Sequence, residues 1–185
     1  TSSAPSETSD SALVALTYND GPGMYTSRLL DVLEAYNAKA TFFLVGNQIS
    51  DYPAAVSRMK ELGCEIGNHT MDHEDLSRLT EKEITDQIQA ADQALFSITG
   101  QETTLLRPPY GNTGDILTAA ADKPLILWSL DSRDEKTGEI TAIVDTVISN
   151  VQDGDIVLLH DSYETTAAAS EILIPTLQEK GYQLV

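Results

Sequence analysis

Short apolar runs alternate with stretches of helical period along almost the whole chain, and this alternation constrains the fold more than any single residue does. Residues 12–18, 40–45, 64–67, 104–107, 125–129, 155–159 and 182–185 read as strands. Residues 25–36, 53–62, 80–98, 113–122, 139–151 and 166–180 read as helices, and Thr80 with Glu83 has the spacing of a capping box at the start of the third. A chain that returns to a strand after each helix builds a parallel sheet, open or closed into a barrel. In either form the strand C-terminal ends share one rim, where active sites gather.

That rim collects the polar residues worth noticing. Asn19 and Asp20 follow the first run, and His69 follows the third. Arg107, Pro108, Pro109 and Tyr110 follow the fourth, Asp131 and Asp134 the fifth, and His160 the sixth. His69 and His73 are two of only three histidines. Placed on one helical turn, their spacing would bring both imidazoles to one face, where they could grip a metal. An isolated pair of this kind is more often structural than metallic, so it needs a third ligand. Asp20 is the natural one, because two histidines and a carboxylate leave coordination positions open for water and substrate. Gly21 and Pro22 would form the turn from which the carboxylate projects.

The totals narrow the partners. Eleven basic against 29 acidic side chains give a net charge of −18 over 185 residues, a surface that repels nucleic acid and anionic membrane. No apolar run is long enough to span a bilayer. Cys64 is the only cysteine, so no internal disulfide forms. Residues 1–11, rich in Ser and Thr, read as a disordered linker ahead of a single domain over 12–185. An extracellular or cell-surface location is expected, with any signal or anchor upstream of Thr1, and a monomer is expected.

Five ordered motifs resemble those of the polysaccharide deacetylases, the NodB homology domain. T-F-D-D-G-P is matched by Thr17–Pro22 (TYNDGP), H-[ST]-x-x-H by His69–His73, and R-x-P-Y by Arg107–Tyr110. D-x-x-D-W is matched in part by Asp131–Glu135, and L-x-H by Leu158–His160. The resemblance implies an α/β fold, an irregular (β/α) barrel of about seven parallel strands. It implies that Asp20, His69 and His73 hold a divalent metal, zinc first, with cobalt, manganese or nickel as alternatives. His160 would be the general acid, oriented by Asp134. The backbone N–H of Tyr110 would hold the oxyanion, Leu158 would line the acetyl pocket, and Arg107 would pair with the base.

Two positions depart from the pattern. The base position is Asn19, whose carboxamide has no basic lone pair at neutral pH. An engineered trap, a replacement base such as Asp131, and a degenerate binder are three readings of that change. Glu135 stands where the family has Trp in the wall of the sugar groove, and Trp128 is read as core or pocket wall. The expected activity is removal of N-acetyl groups from N-acetylglucosamine units of an extracellular glycan, peptidoglycan or chitin-like. Acetylxylan esterase and a weakly catalytic glycan binder are the alternatives. A non-haem iron oxygenase shares the ligand set, but the α/β alternation and His160 disfavour it.

Overall fold

The computed structural model describes residues 11–185; most of the expected N-terminal linker lies outside them. Strands and helices alternate as the sequence predicts. The first half runs β1 (Leu13–Gly21), α1 (Thr26–Ala35), β2 (Thr41–Leu44), α2 (Pro53–Glu61), β3 (Glu65–Asn68), α3 (Glu81–Thr99) and α4 (Asp115–Ala120). The second half runs β4 (Leu130–Asp131), α5 (Asp134–Thr137), α6 (Ile140–Asn150), β5 (Asp155–His160), α7 (Glu164–Glu179) and β6 (Gln183–Leu184). Thr80 and Glu83 form the predicted capping box, and Gly100 ends α3 in the left-handed conformation.

All pairings are parallel, in the order β3-β2-β1-β5-β4, with β6 beside the start of β1. The central strand, β1, buries Val14, Leu16 and Tyr18 in the main core, where α1, α2, α6 and α7 contribute Leu30, Val56, Ile143 and Leu173. Such near-continuous burial is what helices covering a parallel sheet produce.

Among the described residues the ladder has six strands, where the sequence predicts about seven. The segments expected as strands at 104–107 and 125–129 are reduced to single bridges, Asn68 to Leu106 and Leu106 to Leu125. The cause is local. Pro108, Pro109 and Pro124 have no N–H to give. The carbonyls of Ile126 and Leu127, which a neighbouring strand would use, accept instead from Arg107 Nε and Nη2 at 3.1 and 2.9 Å. A side chain has replaced a strand on that part of the sheet, and β4 begins only at Leu130, beyond it.

Candidate active site

Asp20 reaches the rim through a bulge. β1 pairs Asn19 with Phe43 and then Gly21 with Leu44, so Asp20 is the extra residue, at φ 67°. A regular strand would send Asn19 and Asp20 to opposite faces; the bulge re-aims the second. The expectation that the turn at Gly21 and Pro22 projects the carboxylate is therefore amended, because the projection arises one residue earlier, within the strand.

His69 and His73 do not lie on a helix. They occupy an irregular loop after β3 in which Thr70 and His73 adopt left-handed backbone, φ 68° and 56°. Helical spacing was the wrong reason for a correct juxtaposition. The loop is held by Asn68, fully buried, whose Oδ1 accepts from Thr70 N–H at 2.7 Å and whose Nδ2 donates to the Ile88 carbonyl and to Asp92. Gln87 Oε1 accepts from the N–H groups of Met71 and Asp72 at 3.1 and 2.9 Å. The His73 N–H donates to Thr70 Oγ1 at 3.1 Å. Turns in the left-handed region persist where such contacts fix them.

The result is a three-ligand cluster. Oδ1 of Asp20 lies 3.3 Å from Nε2 of both His69 and His73, and one ligand atom from each residue falls within 4.8 Å of the others. The Arg107 carbonyl is 2.7 Å from His69 Nδ1, and since a carbonyl only accepts, that nitrogen carries the proton. Burial drives the His69 pKa down against the pull of Asp20, so the imidazole is neutral and its Nε2 lone pair faces the carboxylate. Asp20 Oδ1 and His69 Nε2 are buried without a hydrogen-bond partner. Two acceptors converging without a donor fit a cation between them.

Across the rim, His160 Nδ1 lies 2.8 Å from Oδ1 of Asp134. The other oxygen, Oδ2, accepts from the His160 N–H and from Thr166 Oγ1, both at 2.7 Å. Burial alone would lower the His160 pKa; the bond to Asp134 and the charges of Asp134 and Asp20 outweigh it and raise it. The site can therefore keep His160 protonated as a proton donor.

Arg107 is wholly buried and grips the base position. Its Nη1 donates to Asn19 Oδ1 at 2.9 Å and to Thr17 Oγ1 at 2.7 Å, and its guanidinium lies over the Phe43 ring, 4.1 Å from the centroid. Burial pushes its pKa down to about 9.

The remaining expected residues divide. Leu158 is buried on β5 two residues before His160 and so on the same strand face. Tyr110 is exposed at φ 61°, its ring edge-on to His73 at 4.9 Å. Asp131 turns away, accepting from the Arg133 N–H at 2.7 Å and pairing with Lys136, and Glu135 pairs with the same lysine. Trp128 lies against Gly111, where a Cβ would come within 2.8 Å of its ring, and so walls the loop carrying Tyr110.

Sequence reasoning missed Asn68, Thr166 and Tyr163, and it gave Asp161 no role of its own. The only signal for Asn68 was its place before His69. Asp161 is fully buried, accepts a 2.5 Å bond from Thr26 Oγ1, and leaves Oδ1 unpartnered. Burial raises its pKa to about 7, partly offset by Thr26. Tyr163 sets its ring edge-on to His160 at 5.9 Å.

Comparison with known proteins follows these lines. The polysaccharide deacetylase family model matches residues 6–124. The peptidoglycan-N-acetylmuramic acid deacetylase PdaC of Bacillus subtilis is 40% identical over 174 residues, 94% of this chain and 37% of that protein. Its solved structure superposes with a TM-score of 0.93 at 39% identity, covering 95% of this chain and 88% of that one. The chitooligosaccharide deacetylase of Bradyrhizobium is 36% identical, covering 92% of this chain and 87% of that one. A mutant of a CE4 family pseudoenzyme with restored enzymatic activity superposes with a TM-score of 0.87 at 31% identity, covering 95% of this chain and 65% of that one. The chain spans just over a third of the length of PdaC, 37%. With a family model matched over more than half its length and relatives aligned over nearly all of it, the chain belongs to the polysaccharide deacetylase family.

Proposed function

We propose that this chain is a divalent-metal deacetylase acting on N-acetyl groups of a cell-wall or chitin-like glycan, with turnover held down by Asn19. The observation that carries this reading is the convergence of Asp20, His69 and His73 opposite the His160–Asp134 pair. A bound divalent ion, zinc by the chemistry of the donor set, would supply Lewis acidity toward an acetyl carbonyl and water.

The chain's own residues do the rest. Asp20, His69 and His73 hold the ion, and Arg107 fixes the His69 tautomer through its carbonyl. His160 gives its proton to the departing amine nitrogen, and Asp134 holds the ring in place and favours its charged form. The Tyr110 N–H, which finds no acceptor among the described residues, is available to a developing oxyanion. Leu158 supplies apolar wall for the acetyl methyl. Asp131 is engaged by Lys136 and the Arg133 N–H, so it is a poor candidate for a substitute base.

The names of the peptidoglycan and chitooligosaccharide deacetylases support an amide substrate, that of a bifunctional xylanase/deacetylase supports the acetylxylan alternative, and peptidoglycan supports an extracellular setting. Among the described residues no helix is long and apolar enough to cross a membrane. A binder with little turnover is the second reading, favoured by the grip of Arg107 on an amide that cannot accept a proton. Deacetylation of N-acetylglucosamine oligomers and acetylated xylan by the zinc-loaded native chain and by Asn19→Asp tests both. Restoring the carboxylate is expected to raise kcat by roughly 100- to 10,000-fold. Sugar binding with no turnover in either form would overturn the enzyme reading.

A further inference from the structure

Hydrolysis needs an acceptor for a proton of the attacking water, and the amide of Asn19 is not one. Its oxygen is held by Arg107 Nη1 and its nitrogen carries only donors. The carboxylates near it are engaged or sealed. Asp134 is buried, with Oδ1 accepting from the Glu135 N–H beside His160 Nδ1 and Oδ2 accepting from the His160 N–H and Thr166 Oγ1. Asp161 is fully buried against Thr26, and Asp131 and Glu135 pair with Lys136. Asp20, His69 and His73 form the metal cluster.

His160 is placed differently. The parallel ladder sets it opposite Asn19, so the two side chains leave the same face of neighbouring strands, about 5 Å apart. Its Nδ1 is fixed by Asp134. Its Nε2 has no partner among the described residues and, unlike Asp20 Oδ1 and His69 Nε2, is not sealed from solvent.

We propose that His160 serves as both base and acid in this chain, Nε2 first taking a proton from the attacking water and then returning it to the amide nitrogen. The inference rests on the deacetylase activity proposed above and deepens it. The water oxygen bonds to the acetyl carbon as one of its protons passes to Nε2. That proton then moves to the nitrogen while the C–N bond breaks, its electron pair leaving with the nitrogen. Amine and acetic acid depart, and His160 returns to the neutral state in which it began.

The surroundings make this slow. Burial opposes charge on the ring, but the bond to Asp134 and the charges of Asp134 and Glu135 on α5 and of Asp20 on β1 outweigh it and raise the pKa. Asp161 follows His160 in the chain, and Tyr163, ahead of α7, sets its ring edge-on to the imidazole. The neutral ring is thus a competent base but a scarce form, in keeping with turnover held down by Asn19.

The pH dependence of kcat/KM decides the matter. The zinc-loaded native chain and Asn19→Asp are assayed on N-acetylglucosamine oligomers from about pH 5 to about pH 9, and the His160 pKa of each is read separately by NMR titration. In the native chain kcat/KM is expected to rise about tenfold per pH unit up to the His160 pKa and to stay level above it, because the ring must start neutral. In Asn19→Asp the carboxylate takes the proton and His160 must start charged, so kcat/KM is expected to fall about tenfold per unit above that pKa. Asp134→Asn in the native chain should move the rising limb by the same amount as the NMR pKa. Thermal melts establish folding, and the comparison of the native chain with Asn19→Asp stands without the third variant.

A fall above the His160 pKa in the native chain overturns the proposal, as does a limb that stays in place while the NMR pKa moves. Turnover confined to Asn19→Asp overturns it alone and leaves the deacetylase activity of the fold standing. Inactivity of both forms overturns both.

Discussion

The carbonyl of Arg107 accepts the Nδ1 proton of His69 at 2.7 Å, while the guanidinium of the same residue holds Asn19 at 2.9 Å. One residue thus orients the proposed metal ligand His69 with its backbone and fixes Asn19 with its side chain. The Asp20–His69–His73 cluster and the position of Asn19 are mechanically joined.

Metal binding should stabilise the fold, because it relieves two buried acceptors that face each other. At a zinc concentration 100 times the dissociation constant, the gain is about 2.7 kcal/mol. Scanning calorimetry with zinc and with chelator should show a higher Tm in the first. His69→Ala should abolish the difference; a shift of equal size in that variant would place the metal elsewhere.

Asn68 is expected to matter for metal affinity without touching the ion. Its side chain ties the Thr70 N–H to Ile88 and Asp92 in α3, and so holds the loop bearing both histidines. Asn68→Ala strands those groups, each costing about 1–3 kcal/mol. Loss of such support typically weakens metal binding about 10- to 100-fold. Zinc titration against a chromophoric chelator measures this, and an unchanged affinity would show that the loop holds itself.

Asp134→Asn should drop the His160 pKa, read by NMR titration of the metal-free protein. The pair is buried, and removing one partner of such a pair costs about 3–5 kcal/mol. The sign follows from the raised native pKa of His160. Its contribution to stability is full below the unfolded pKa and disappears as pH rises through the folded one. The variant should therefore lose most stability on the acid side of that window and less above it.

Asp161 gives a second pH signature. Its native pKa of about 7 lies above the ordinary value of 3.8, so the folded state favours the proton. The metal-free protein should lose stability as pH rises from about 4 to about 7, by an amount on the order of 4 kcal/mol. Asp161→Asn, which resembles the protonated acid, should flatten this slope in urea melts. An identical slope in the variant would assign the effect to another group.

Much of this was legible in the sequence because it depends on local pattern. Short apolar runs and the 3.6-residue period between them marked β1, β2, β3, β5 and the longer helices to within a few residues. They failed at 104–107 and 125–129, which carry short apolar runs of the same kind, but where a buried guanidinium takes the Ile126 and Leu127 carbonyls. No local pattern reveals that competition, because Arg107 lies about 20 residues from the backbone it satisfies.

Chain order and apolar pattern are enough to say which residue types meet at one rim. A parallel α/β order sends strand C-termini to the same end, and Asp20, His69, Arg107 and His160 all follow apolar runs. Tertiary structure alone decided how they meet. The bulge at Asp20, the left-handed residues Thr70 and His73, the pinned amide of Asn19 and the burial of Asp161 depend on partners distant in the chain. Periodicity encodes the face a side chain occupies; the tautomer, flip or charge it adopts there is set by contacts that only the folded chain provides.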